Sequence, residues 1–255
     1  MRFVLPPIPD QPTMPDRPDT PSRALAAEAI GTFALCFAGI LAINAGEAAS
    51  LTTVAFAHGL ALVVMIAALA HHSGAHFNPA VTFGFVVTGR MAPPRGALYV
   101  AAQVAGAFLA SALIAALFGS EPVAGGTPAL APTVDPLRGV AIEAVATFFL
   151  VLVVFGTAVD ERAPKSVFPV AIGLTVALDI MAIGPLTGAA MNPARALGPA
   201  LASGAWTDHW VYWAGPLLGG ALAAGLQSAF FLAPAPSPAV AERGGPAPDE
   251  QRGRV

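Results

Sequence analysis

Charge is what this chain is short of. Of its 255 residues, 11% are charged and 56% hydrophobic, and the mean hydropathy is +0.70. A soluble domain carries about 25% charged residues. So few charges do not cover a water-facing surface, and the chain reads as a polytopic membrane protein. The net charge of -3 gives no hint of nucleic acid, and no such partner is expected. The one cysteine, Cys36, excludes an internal disulfide framework and reads as a small apolar helix residue. No phosphate loop, nucleophile elbow or metal-ligand pattern is present. His71, His72 and His76 cluster, but without the cysteines or nearby carboxylates of a zinc site. No enzyme, cofactor or metal is therefore expected. Lysine is almost missing, Lys165 being the single one beside many arginines, alanines, glycines and prolines. That usage looks like a GC-rich bacterial genome, so the expected site is a bacterial inner membrane.

Long apolar runs are what is present. Six cover about 23–43, 51–70, 96–118, 138–158, 167–184 and 210–232. Each approaches the ~20 residues needed to cross a ~30 Å hydrocarbon layer. Two shorter stretches, 78–88 and 192–202, cannot cross. They are expected to dip in as re-entrant half-helices, since irregular backbone survives at membrane depth only inside protein or beside water. Residues 1–22 and 233–255 are rich in proline and charge and read as disordered cytoplasmic tails. The start lacks the ordered regions of a cleaved signal peptide. With both termini cytoplasmic, every basic residue except Arg138 and Arg195 lies inside, as the bias of lysine and arginine towards cytoplasmic loops requires.

The chain is an internal repeat. Asn78-Pro79-Ala80 returns as Asn192-Pro193-Ala194. Glu28-Ala29-Ile30-Gly31-Thr32-Phe33 aligns with Glu143-Ala144-Val145-Ala146-Thr147-Phe148, and Ser73-Gly74-Ala75 with Thr187-Gly188-Ala189. Gly59, Tyr99 and Gly106 match Gly173, Tyr212 and Gly219. The division is a first repeat over 23–118, an extracellular connector over 119–137 and a second repeat over 138–232. Three spans per repeat is odd, so the halves insert upside down relative to each other, which places a site at the midplane between them.

These features, with Ser73-Gly74-Ala75-His76 and Asn192-Pro193-Ala194-Arg195, resemble the aquaporin, or major intrinsic protein, family over about 23–232. The resemblance implies an all-α membrane fold of six spans and two half-helices, a homotetramer in the bilayer, and a passive pore. The pore centre falls at Asn78, Pro79, Ala80, Asn192, Pro193 and Ala194. Each Asn caps its half-helix through its oxygen, with Pro at the first turn. That leaves its NH2 for the lumen, where a passing water turns its oxygen to both amides and the proton relay breaks. The positive half-helix ends repel cations.

By resemblance the outer constriction falls at His58, Ile180, Ala189 and Arg195, a set similar to that of plant tonoplast members. An Arg at membrane depth faces an aqueous path. Ala196, where glycerol facilitators carry Asp, and Tyr212-Trp213 favour water; an aromatic pair also suits an interface belt. Water in single file is the expected solute, without protons or ions. The alternatives are ammonia, hydrogen peroxide or urea, with glycerol below them, and then a secondary transporter. Glu28, Glu143 and His76 are expected to support the loops leading into the half-helices. Asp179 has no counterpart in the first repeat, and its role stays open, as does pH gating.

Overall fold

The computed structural model describes residues 21–232. The tails, and with them Arg2, Arg17, Arg243, Arg252 and Arg254, lie outside the described residues, except for the end of the N-terminal tail.

Nine α-helices follow in order among the described residues, and no strand. They are α1 (Pro21–Ile43), α2 (Leu51–Ser73), α3 (Pro79–Val87), α4 (Pro93–Phe118), α5 (Glu121–Gly125), α6 (Pro136–Val154), α7 (Phe168–Thr187), α8 (Pro193–Ser203) and α9 (Val211–Leu226). The helices α6 and α9 each close with a π-helical turn, Phe155–Val159 and Gln227–Phe231. Six helices are long and apolar enough to cross a membrane: α1, α2, α4, α6, α7 and α9. The short α3 and α8 are the two re-entrant segments.

Several helices run past their apolar runs. Proline at the first turn starts α4 and α6 ahead of the apolar stretch. At the other end α2 continues through the polar His71-His72-Ser73 to Gly74, whose φ of 85° ends it in the left-handed region. Gly188 ends α7 in the same way, with φ 78°. The connector is not a bare loop: it holds α5, and α6 begins inside it at Pro136.

Packing repeats the symmetry of the sequence. α1 lies on α4 as α6 lies on α9, and α2 crosses α7 between the halves. Each half-helix rests on the last span of the other repeat, α3 on α9 and α8 on α4. Glycines let the backbones touch. A Cβ on Gly106 would sit 2.1 Å from the carbonyl oxygen of Ala29, and one on Gly219 would sit 2.0 Å from that of Ala144. Side chains outside this interior, such as Leu109, Leu117, Leu178 and Leu222, stand more than half exposed. They form the surface that a bilayer would cover.

Candidate functional site

The two half-helices meet end to end. Asn78 is the N-cap of α3, and its side-chain oxygen accepts from the N–H of Ala80 at 2.8 Å. Asn192 caps α8 and accepts from Ala194 at 3.1 Å and Arg195 at 3.2 Å. Pro79 and Pro193 occupy the first helical positions, and Ala80 and Ala194 are fully buried. Each amide also reaches across to the other repeat. Asn78 Nδ2 donates to the Met191 carbonyl at 2.9 Å, and Asn192 Nδ2 to the Phe77 carbonyl at 2.8 Å. An amide nitrogen carries two hydrogens, so each Asn spends one in holding the halves together and keeps one.

The loops before the half-helices are strained and held by carboxylates. Ala75, Phe77, Ala189 and Met191 all have φ between 46° and 51°, a region that costs a side-chain-bearing residue about 1–3 kcal/mol. Glu28 accepts from Ser73 Oγ at 2.7 Å and from the N–H groups of His76 at 2.9 Å and Phe77 at 2.7 Å. Glu143 accepts from Thr187 Oγ1 at 2.6 Å, Ala190 N at 2.9 Å and Met191 N at 2.7 Å. Tyr99 and Tyr212 close the two loops by donating to the carbonyls of Ser73 and Thr187. With the N–H groups turned to the carboxylates, the carbonyls of residues 74–76 and 188–190 have no donor among the described residues.

One pair of partners was not foreseen. Gln103 Nε2 donates to Glu28 at 2.7 Å and to Thr82 Oγ1 at 3.0 Å, and Thr82 in turn meets His76 Nδ1 at 3.0 Å. An amide in the middle of an apolar span needs a buried partner, and that was the signal for Gln103. His76 thus has its main chain in the Glu28 clasp and its ring on Thr82, stacked near Phe85 at 4.3 Å. The His71 and His72 rings lie 3.9 Å apart, tilted by 48°, at the end of α2.

One narrow cavity, with about 50 Å³ open to water, passes the two capping asparagines and is lined from both repeats. His58, Ile180, Ala189 and Arg195 line it together with Asn78 and Asn192, and none of the four is more than 4% exposed. Arg195 Nη1 donates to the Gly126 carbonyl at 2.8 Å, at the end of α5. His58 Nδ1 lies 2.8 Å from the Val54 carbonyl. A carbonyl only accepts, so Nδ1 carries the hydrogen, and the neutral ring presents the lone pair of Nε2 towards Arg195 Nη2, 3.5 Å away. Arg195 Nε is buried without a protein partner among the described residues. The part of Gly126 was not read from the sequence, because a carbonyl group leaves no trace in residue type.

The remaining residues stand apart. Asp179 is 6% exposed with Oδ2 unpartnered, and does not line the cavity. Tyr212 is fully buried, packed with Ala190 and Ala196. Trp213 is half-buried and donates to His209 at 3.3 Å, while Trp206 and Trp210 are half-exposed. The exposed pair, rather than Tyr212-Trp213, has the placing of an interfacial belt.

Known proteins match this arrangement. The sequence profile described as Major intrinsic protein matches residues 17–226. The chain is 48% identical over 223 residues to Aquaporin TIP4-4 of Zea mays, covering 83% of this chain and 87% of that one. It is 42% identical over 201 residues to Aquaporin NIP1-1 of Zea mays, covering 77% and 71%. Its fold is similar to the X-ray structure of the aquaglyceroporin from Plasmodium falciparum, with a TM-score of 0.72, 26% identity, and coverage of 83% of this chain and 97% of that one. The chain belongs to the major intrinsic protein family and is a membrane channel rather than an enzyme.

Proposed function

We propose that this channel passes water in single file, down an osmotic gradient, while excluding protons and ions. The observation that supports it most is the pair of crossed amides. Asn78 and Asn192 are pinned by the opposite repeat, and both border one cavity. Each keeps one hydrogen for the lumen. Two donors and no acceptor at one level make a water accept from both, so its own hydrogens point away along the file and no proton is handed past. Each half-helix end adds roughly half a positive charge there. The strained loops supply unpaired carbonyls on either side, which replace the water's lost partners. Glu28, Glu143 and His76 hold those loops.

His58, Ile180, Ala189 and Arg195 act as the selectivity ring. A guanidinium fixed by Gly126 repels cations. A second solute class is favoured by one observation. The ring has an acceptor in His58 Nε2 and a small residue at Ala189, with no Phe, Tyr or Trp in it. Ammonia, hydrogen peroxide and urea suit that mixture of donor, acceptor and space; glycerol ranks below them. The protein takes up its place in a cell membrane as a homotetramer with both termini cytoplasmic and the Arg195 end outward. The bacterial inner membrane expected from composition is at odds with the plant sources of the relatives named above.

Stopped-flow light scattering of vesicles carrying the protein tests the reading. Water permeability well above that of protein-free vesicles, with no proton-driven dye response, is the expected result. Water flux equal to the bare lipid, with fast urea or ammonia entry, would reverse the ranking of solutes. Saturable flux that depends on a proton gradient would replace the channel with a coupled transporter.

A further inference from the structure

We infer that Gly39, a residue outside the ring, sets the aperture at the Arg195 end by giving the His58 imidazole a place to retreat. The inference rests on the reading of His58 and Arg195 as the selectivity ring.

Gly39 is buried on α1, facing α2. A Cβ there would lie 2.1 Å from His58 Nε2, 2.5 Å from Cε1 and 2.7 Å from Cδ2. The far edge of the ring therefore occupies the volume that any other residue at 39 would fill. The near edge is tied back by the Nδ1 bond to Val54 on its own helix. Nε2 then stands 3.5 Å from Arg195. The imidazole is thus bounded by the Val54 carbonyl, the Gly39 backbone and the guanidinium. A methyl group at 39 closes the recess, and the Val54 bond blocks movement along α2. The ring must swing towards Arg195 and the lumen.

The inverted repeat supplies a control. Under the alignment of Glu28 with Glu143 and of Asn78 with Asn192, Gly39 and His58 correspond to Val154 and Ile172. Both of those line the same cavity. There a branched side chain stands where the glycine stands in the first repeat, so a recess exists at one end alone. A glycine inside a long helix weakens it, and holding the imidazole off the path accounts for its presence at 39.

The test is a double-substitution cycle on the full-length protein in vesicles, read as water permeability and as the urea-to-water ratio. Gly39→Ala is expected to lower water permeability at least threefold, and the ratio further. His58→Ala is expected to raise the ratio. Gly39→Ala combined with His58→Ala should match His58→Ala alone, because the group in conflict is gone. Equal loss from Gly39→Ala in both backgrounds would make Gly39 a packing residue and overturn the inference. No effect of Gly39→Ala, with His58→Ala still active on the ratio, would also overturn it while sparing the ring. No effect of His58→Ala on the ratio would sink the ring reading itself. Folding, followed by size-exclusion chromatography in detergent, adds a second readout. If Gly39→Ala fails to fold, recovery in the double variant supports the inference, and failure of both variants overturns it.

Discussion

The cavity is lined by His58, Ile180, Ala189 and Arg195 and by the residues at the same positions of the other repeat, Ile172, Ile66, Ala75 and Val81. Two of the four pairs are conservative. The other two replace an aliphatic side chain by a histidine and by an arginine. Around Arg195 the connector has also changed, bringing the Gly126 carbonyl to the guanidinium. The scaffold is thus nearly symmetric, and the difference between its mouths comes from two side chains and a loop that receives one of them. A buried arginine is tolerated where an acceptor and an aqueous path meet it, so the connector is part of the site.

The loops before the half-helices make a second comparison, and breaking it should have the largest effect. Glu28 and Glu143 each accept two main-chain N–H groups from a strained loop. Leaving a buried donor without a partner costs about 1–3 kcal/mol. Glu28→Ala and Glu143→Ala should therefore each lose roughly 2–6 kcal/mol, from the two donors together, seen as a lower melting temperature or lost folded yield in detergent. The two are not equivalent. Gln103 also leans on Glu28 and Thr82, where the second repeat has Pro216 and Ala196. Glu28→Ala should be the more damaging of the two, since it also removes one of the two acceptors of the Gln103 amide. A smaller loss at Glu28 would mean that Gln103 serves the His76 ring and not the loop.

Exchanging the ends at the arginine position comes next. Arg195→Val makes that mouth resemble the Val81 mouth. Unit charges about 4 Å apart near a surface interact by about 4 kcal/mol, and a third of that is tenfold in flux. Cation and proton leak should rise at least tenfold in dye-loaded vesicles, with water flux kept. Val81→Arg should not create a second filter. No equivalent of the Gly126 bond is present among the described residues at that end, and an unpartnered arginine costs at least about 2.5–3.5 kcal/mol. Reduced folded yield is the expected outcome; a folded Val81→Arg channel that still passes water would show that the connector is dispensable.

Much of this was legible beforehand because symmetry doubled each signal. The Asn-Pro-Ala boxes, Glu28 with Glu143 and Gly106 with Gly219 each carry an internal check, and the six apolar runs locate the spans. What was missed is what occurs once or resides in the main chain. Gln103 and Thr82 have no echo in the second repeat. The role of Gly126 is that of a carbonyl. Gly39 carries no signal in the sequence, because its meaning depends on which imidazole lies opposite. Some helix ends, such as the end of α2 and the start of α4, lie beyond the apolar runs because His71, His72 and Arg95 belong to helices that outrun the apolar core.

The histidine position should give a smaller effect than the arginine. His58→Ile copies Ile172, removing the acceptor and keeping bulk. Water flux should change by less than about threefold, worth roughly 0.7 kcal/mol. Urea, with four N–H donors, should lose more than hydrogen peroxide with its two O–H groups, and ammonia, a weak donor, should lose least. Equal change across all three, measured by stopped-flow in the same vesicles, would show that His58 acts through size alone.

The smallest effect should come from the turn that joins α6 to α7. It lies outside the spans, and its ion pair differs from the connector's Asp135–Arg138 pair in being tied to the bundle. Asp160 accepts from Arg162 N at 3.0 Å, Nε at 2.9 Å and Nη2 at 2.7 Å, and Nη2 also donates to the Phe231 carbonyl at the end of α9. On the connector side Asp135 and Arg138 pair at 3.1 Å with both side chains more than half exposed. The Arg162 side chain, then its N–H, push the Asp160 carboxyl down to about 2. An unfolded Asp titrates near 3.9. The folded value is the lower one, so the contribution is complete above the unfolded value and is lost as pH falls through the folded one. The melting-temperature gap between the protein and Asp160→Asn should stay constant from pH 7 to pH 5 and close only below about pH 4. The corresponding gap for Asp135→Asn should be smaller, since exposed pairs contribute little. A gap that closes by pH 5 would show that Arg162 does not hold Asp160 in the membrane-bound protein, and that this turn is as loose as the connector's exposed pair.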